Sequence, residues 1–445
     1  LPGFGAALRV WLRIGLLSFG GPAGQIALLH REIVEQRRWV GEVRFLRALS
    51  FCAMLPGPEA TQLATYLGWL MHGPLGGVAA CALFVLPGAA VLLAFSVLYY
   101  EAAALPAVAG LFYGLTCAVL VLVGQALARI GQRALKTGAA RAMAAAAFLA
   151  LFAFAVPFPA LILGAGSIGA VAGRAFEATE ATGAAPGAVA KPQGLIEALL
   201  LADPGRAGLL AAGAYRAAAA CIVLWVAPVA ALVEFVPGRF ADLAWFFSKM
   251  AVVTLGGAYA VLAYVAQDAV HIHHWLAPSE MVSGLGLAET TPGPLILVLQ
   301  FVGFLAGARA PGRLHGLAGG VVASLLTLWV TFLPSVAFVF AGAPLVERIA
   351  DNRVLRGALA AITAAVVGVI ANLALWFGLH VVFSRLVRVD AGPASFDVPI
   401  VASVDPASFV LVLLAAVCLV RLRLGVPVVL GLAAVGGLVV RLLVN

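Results

Sequence analysis

The sequence predicts an all-α, multi-pass membrane protein made of two inverted-topology repeats with broken helices. Three observations predict it. Of 445 residues, 64% are hydrophobic and only 10% charged, whereas a soluble protein carries about 25% charged residues. Apolar runs of about 20 residues, long enough to cross a hydrocarbon core, recur from one end to the other. Finally, the second half of the chain echoes the first at a fixed offset. The runs are continuous rather than alternating, which excludes a β-barrel.

In chain order the runs lie near 5–29, 45–71, 75–99, 107–128, 142–157, 159–173, 207–235, 241–265, 282–308, 314–341, 355–383, 405–420 and 424–442. That gives about 13 spans, of which the pairs within 142–173 and 405–442 are short. Residues 174–206 are rich in Ala, Gly, Pro and Glu and read as an exposed linker. The expected layout is an N-terminal repeat over 1–173, a linker with a connecting span over 174–240, and a C-terminal repeat over 241–445. The chain opens directly into an apolar run, so no cleavable signal is expected.

Sliding the chain by 236 residues sets Gly20-Gly21 on Gly256-Gly257, Glu32 on Asp268, Trp39 on Trp275 and Pro56-Gly57-Pro58 on Pro292-Gly293-Pro294. Beyond an insertion near 309–315 the match resumes, with Pro87 on Pro334, Gly110 on Gly357 and Thr116 on Thr363. Six spans per repeat plus one connecting span would orient the halves oppositely. The basic residues agree. Loop 31–47 carries Arg31, Arg37, Arg38, Arg44 and Arg47, and its counterpart 267–283 carries neither Lys nor Arg. One loop later the bias reverses, with Arg309 and Arg313 opposite His72. Opposite bias at equivalent loops is what inverted repeats give under the positive-inside rule. Arg129, Arg133, Lys136 and Arg141 run against this scheme, because it puts them outside.

The net charge of +8 sits in such loops, so it reads as a topology signal rather than a nucleic-acid surface. The five cysteines are single residues in apolar runs, with neither a disulfide framework nor a CxxC motif. The His271-Ile272-His273-His274 cluster lacks a structural metal ligand set and reads as interfacial. No metal and no cofactor are expected.

Two kinds of helix break recur in both halves: Gly20, Gly21 and Pro22 with Gly256 and Gly257, and Pro56-Gly57-Pro58 with Pro292-Gly293-Pro294. Proline stops or kinks a helix and glycine permits tight turns. Unwound backbone in a bilayer is tolerated only where it is buried in protein or lines a cavity. A helix that restarts there presents free N–H groups and a positive dipole end, which suits an anion. Arg13 and Lys249 fall on equivalent positions, each followed by a hydroxyl, Ser18 or Thr254, and then by Gly-Gly. Gln25, Thr61, Gln62, Thr290 and Thr291 add hydrogen-bonding groups. Glu59 and Glu289 are carboxylates in apolar sequence, suited to carrying a proton or to pairing with Arg13 or Lys249.

The stretches "FGGPAGQIALLHREIVEQRRWV", "MLPGPEATQLATYLGW" and "GLAETTPGPLILVLQFVGF" resemble the chromate ion transporter (CHR) family in its long two-domain form. The resemblance covers nearly the whole chain. It implies two homologous halves in a bacterial inner membrane and export of chromate, with coupling to the proton motive force. Gly-Gly-Ala in the second half replaces the Gly-Gly-Pro of the first, so the half-sites need not be equivalent. The expected partners are chromate or a sulfate-like tetrahedral oxyanion and membrane lipid, with no nucleic acid and with a homodimer left open. A passive oxyanion channel, an uptake transporter for sulfate-like anions, and a membrane enzyme acting on lipid phosphate are the alternatives.

Overall fold

A computed structural model describes residues 2–176, 194–203, 205–253, 255, 258–312, 314–346, 352–392 and 394–444. All thirteen apolar runs are helical. The first half holds α1 (Phe4–Leu17), α2 (Gly21–His30, ending in a π turn over Arg31–Gln36), α3 (Glu42–Cys52), α4 (Glu59–Ala102), α5 (Pro106–Ala134), α6 (Gly138–Phe154) and α7 (Phe158–Phe176). A connection of α8 (Leu195–Ala202) and α9 (Gly205–Phe235) follows. The second half holds α10 (Arg239–Val253), α11 (Ala258–Ala266, with a π turn over Gln267–Ile272), α12 (Pro278–Thr290), α13 (Val298–Ala308), α14 (Gly316–Gly342), α15 (Arg353–Val382), α16 (Pro406–Ala416) and α17 (Val426–Val444). Among the described residues, seven helices are long and apolar enough to cross a membrane.

The sequence echo extends to backbone geometry. Moved by 236, the π turn at 31–36 lands on the one at 267–272. The left-handed residue that follows, Arg38 at φ 53°, lands on His274 at φ 50°. Moved by 247, the first residue of α5 lands on the first residue of α15.

Four of the thirteen runs enter and turn back at their breaks rather than running straight through. In the first run, Arg13 Nε lies 3.9 Å from Glu32, although one unbroken helix would hold them about 28 Å apart. In the eighth, the Phe246 ring packs on Tyr264 at 5.7 Å and on Trp275 at 5.3 Å. In the ninth, Arg309 Nη2 meets Glu280 Oε1 at 2.6 Å and Gly284 packs against Phe301. In the second run, α3 and the start of α4 pack together, Phe51 on Tyr66 at 5.7 Å. The breaks are therefore the tips of re-entrant hairpins. α4 itself doubles back at His72 and Gly73, where Gly68 comes against Gly76.

This geometry accounts for the basic loop that disagreed with a simple crossing scheme. His72 Nε2 lies 2.9 Å from the Pro2 carbonyl oxygen, so α1 and the α4 turn start from one face, and both first-half hairpins enter there. From Pro74 to Ala102 the chain rises about 43 Å, and α5 returns. Arg129, Arg133, Lys136 and Arg141 thus share a face with Arg31–Arg47. The second-half hairpins enter from the other face, where Arg239, Trp275, Glu280 and Arg309 surround Tyr99 near the end of α4.

Each half lends its last two helices to the other. α7 lies on α15, with Gly169 against Gly357, and α17 lies on α5, with Gly437 against Gly110 and Gly114. Small residues allow this approach in lipid, where packing rather than the hydrophobic effect joins helices. Two features depart from the sequence reading. Part of the expected exposed linker is α8, which docks on the first half: Leu195 and Ile196 donate N–H bonds to the Arg38 and Trp39 carbonyls at 3.1 Å, and Glu197 accepts from Gly41 N–H and Arg44 Nε. Between α15 and α16 an antiparallel hairpin forms from β1 (Leu386–Ala391) and β2 (Ala394–Pro399).

At the membrane boundary Glu280 caps its own helix through Ala277 N–H at 2.8 Å and holds Arg309. Burial pushes the Glu280 carboxyl up, but the Arg309 and Ala277 hydrogen bonds outweigh it and hold the carboxyl below its usual range. A depressed carboxylate pKa adds stability above the unfolded-state value and loses it as pH falls through the folded value. The purified protein should therefore lose thermal stability on acidification through the carboxylate range, and Glu280→Gln should be less stable at neutral pH and flatter in that range. Gly437→Val should lower stability by about 2 kcal/mol through overpacking, read as a lower unfolding midpoint in detergent. Gly124→Ala, where a methyl meets nothing within 4 Å, should cost nothing.

Candidate anion-binding site

The site grows from the hairpin tips. Gly20 and Gly21 take φ of 88° and 70°, and Gly57 and Gly293 take 125° and 101°, a region that glycine enters at little cost and side-chain-bearing residues seldom adopt. After each tip a helix restarts: α2 at Gly21, α4 at Glu59, α11 at Ala258, and a 3-10 turn into α13 at Leu295. Gly20, Pro58 and Pro294 sit at the cap positions and supply no side-chain cap, so the first N–H groups of these helices remain available. The tips of opposite halves are stapled together. Gln25 Nε2 donates to the Gly293 carbonyl at 2.5 Å, and Gly293 N–H donates to the Ser18 carbonyl at 2.8 Å.

All four restarts border one cavity of about 380 Å³. Gly20, Gly21 and Pro22 form one wall, Pro58 and Glu59 a second, Ala258 and Tyr259 a third, and Pro294 and Leu295 a fourth. α5 contributes Arg129 and Arg133, and α15 contributes Thr363. Four positive dipole ends and two guanidinium groups thus face a space bordered by one carboxylate, Glu59. Behind the wall, Tyr259 Oη donates to Glu289 Oε1 at 3.0 Å, and Arg129 is near enough to act electrostatically on both.

The structure brings some of the sequence candidates here and others elsewhere. Gly20, Gly21, Pro22, Gln25, Pro58, Glu59 and Pro294 line the cavity. Pro56, Gly57, Pro292 and Gly293 shape the tips behind it. Gln62 Nε2 is spent on the Pro56 carbonyl at 2.7 Å, while the buried Thr61 and Ser18 hydroxyls have no hydrogen-bond partner among the described residues. Thr290 and Thr291 both donate to the Leu287 carbonyl, at 2.8 and 2.6 Å, and so bond their own helix. Arg13 and Lys249 do not line the cavity. The Arg13 side chain is 59% exposed beside Glu32, and Lys249 lies 5.8 Å over the Tyr264 ring, near Asp268. Because each hairpin folds back, these residues face the returning segment of their own hairpin: Arg13 lies 3.9 Å from Glu32, and Lys249 acts electrostatically on Asp268, the equivalent acid. Thr254, Gly256 and Gly257 lie outside the described residues.

Sequence reasoning missed Arg129, Arg133, Tyr259 and Thr363. The signal for the arginines was their misfit with the loop-charge scheme. The repeat also shows why the cavity lies where it does. Tyr259 and Glu289 correspond to Ala23 and Ala53 in the first half, and both alanines line the cavity. Two methyl groups leave open on one side the volume that a hydrogen-bonded Tyr–Glu pair fills on the other. Arg129 and Arg133 correspond to Trp376 and His380, so the strong cations also belong to one half only.

A model of the chromate transporter family matches residues 6–170 and 241–438, covering both halves. The chain belongs to the chromate transporter family. Relatives named as chromate transport proteins occur in Pseudomonas aeruginosa, 34% identical over 81% of this chain and 77% of the relative, and in Cupriavidus metallidurans, 23% identical over 81% and 79%. A probable chromate transport protein of Synechococcus elongatus is 24% identical over 83% of each. No solved structure matches. As a member of the chromate transporter family the chain is a multi-pass membrane transporter, not an enzyme, and family membership implies an anion as its substrate.

Arg129→Gln should weaken oxyanion binding at least tenfold, about 1.4 kcal/mol, measured as half-saturation of transport. Arg13→Gln and Lys249→Gln should shift half-saturation less than twofold while lowering thermal stability, because they brace hairpins rather than touch the ligand.

Proposed function

We propose that the protein exports chromate from the cytoplasm of a bacterium across its inner membrane as a secondary active transporter, driven by the proton motive force. The observation that carries this reading is the convergence of four helix starts, two from each half, on one cavity with Arg129 and Arg133. A tetrahedral dianion needs N–H donors from several directions and compensating positive charge, and discontinuous helices at a repeat interface supply both. The chromate named for the relatives fits those requirements. Sulfate, of the same shape and charge, is the natural competitor.

Orientation follows from the basic residues. The face bearing Arg31, Arg37, Arg38, Arg44, Arg47, Lys136 and Arg141 is cytoplasmic under the positive-inside rule. Arg133, the penultimate residue of α5, lies toward that face, so the cavity receives anion from the cytoplasm. Moving charge through the membrane potential changes free energy by about 2.3 kcal/mol per charge per 100 mV. A negative interior therefore already favours departure of a dianion. Glu59 borders the cavity directly and is the first proton-handling group. Glu289, hydrogen-bonded to Tyr259 at the wall, is the second proton-handling group. Two inverted repeats, with boundaries near 1–173 and 241–445, then rock about the stapled tips to expose the site alternately.

Labelled chromate flux into inside-out vesicles tests this reading. Uptake should exceed equilibrium, collapse with an uncoupler, and fall when sulfate is added. Glu59→Gln and Glu289→Gln should each flatten the pH dependence of uptake. Uncoupler-insensitive, strictly downhill flux would establish a channel instead.

A further inference from the structure

We propose that the oxyanion leaves through a second cavity at the opposite end of the seam between α5 and α15, the repeat-related counterpart of the entry mouth. The proposal rests on the transport reading above and adds the route. It starts from an antiparallel pair of long helices. The central cavity takes residues from the end of α5, Ala126 to Ala134, and from the early part of α15, Thr363. A separate cavity of about 350 Å³ takes residues from the early part of α5, including Tyr113 and Thr116, and from the end of α15, including His380. α12 contributes Ser279 and Ser283 to it.

The repeat exchanges the two mouths. Thr116 maps onto Thr363, and their hydroxyls make equivalent bonds at 2.8 Å, to the Phe112 and Leu359 carbonyls. Arg133 maps onto His380. From Thr116 to Arg133, and equally from Thr363 to His380, the helix rise is about 25 Å, close to the thickness of a hydrocarbon core. Two mouths at opposite ends of one seam, whose Thr and Arg or His positions on α5 and α15 the repeat exchanges, are the two access routes that alternating exposure requires.

Between the mouths the seam is closed and dry. Val119 and Val123 on α5 and Ile370 and Phe377 on α15 have no exposed surface. They lie on the helix faces that carry Thr116 and Thr363, at spacings of three, four and seven residues. α12 presses on this layer, with Gly286 against Val119 and Leu115, and carries Glu289 in its last turn. The described conformation therefore has the central site open to the basic face and the apolar layer shut.

The mouths differ in strength. The entry side carries two permanently charged guanidinium groups. The exit cavity is lined by one imidazole, His380, whose Nδ1 is engaged by the Trp376 carbonyl at 2.9 Å, and the Arg441 guanidinium lies outside that lining, 5.6 Å over the Tyr113 ring. Asp405 is already satisfied there by Tyr113 Oη at 2.5 Å and by the Ala407 and Ser408 N–H groups. A tight intake and a weak exit suit a dianion that must be released.

The test uses the full chain with Cys52, Cys81, Cys117, Cys221 and Cys418 replaced by serine, into which Thr363→Cys or Thr116→Cys is introduced. A membrane-impermeant anionic methanethiosulfonate is applied to inside-out and to right-side-out vesicles. Thr363→Cys should react at least tenfold faster from the cytoplasmic face and Thr116→Cys at least tenfold faster from the opposite face. Reaction of both from one face, or no reaction at Thr116→Cys from either, overturns the route. In the chain with its native cysteines, Phe377→Ala should add an uncoupler-insensitive chromate leak, and unchanged tightness would also overturn it. Opposite-face labelling without chromate flux in the unsubstituted chain would keep the route and sink the substrate reading.

Discussion

The cost of unpaired backbone in a bilayer organises this molecule. A tip of Gly-Gly or Pro-Gly-Pro leaves N–H and C=O groups that lipid cannot satisfy, each at several kcal/mol. The two halves satisfy them for one another: Gly293 gives its N–H to Ser18 and takes the Gln25 amide on its carbonyl. The tips can therefore lie deep in the protein only because a second set arrives from the other face. The helices that restart at these tips begin at the wall of the cavity, so in the proposed reading the requirement that joins the halves also places the donors for an anion.

Much of the fold was legible because the period and the breaks are written in residue types that admit few conformations. Pro-Gly-Pro and Gly-Gly mark the tips directly, and an offset of 236 carries even a π turn and a left-handed residue from one half to the other. The direction of the chain after a break was not legible. Gly20-Gly21 permits either a kink or a full reversal, and only contacts distant in sequence, such as Phe246 with Trp275, decide it. That ambiguity misplaced Arg13 and Lys249. In a straight span each would sit at membrane depth unpaired, whereas in a hairpin each meets an acid on the returning segment.

The same reversal turns an anomaly into the best clue to the site. Arg129 and Arg133 looked misplaced while every apolar run was assumed to cross. Once four runs turn back, these arginines lie on the strongly basic face, at the end of a helix bordering the tips. Their roles depend on long-range topology, so no local motif could announce them. The hydroxyls erred in the opposite direction. Thr290 and Thr291 looked like ligands by composition, but threonine in a helix commonly bonds the carbonyl four residues back, and here both hydroxyls go to Leu287.

Divergence between the halves completes the argument. A symmetric ancestor would present two equal mouths and two equal half-sites, and such a device has no preferred direction of its own. This chain has broken the symmetry at matched positions: Ala23 and Ala53 against Tyr259 and Glu289, Glu59 against Leu295, and Arg129 and Arg133 against Trp376 and His380. Ala23 and Ala53 open volume on the first-half side that Tyr259 and Glu289 fill on the other, and Glu59, Arg129 and Arg133 place ionisable groups where the second half has Leu295, Trp376 and His380. These differences leave the backbone symmetry intact, because none touches the glycines and prolines that set the tips. Under the proposed reading, the side-chain differences set at which face the anion is held firmly and at which it is let go.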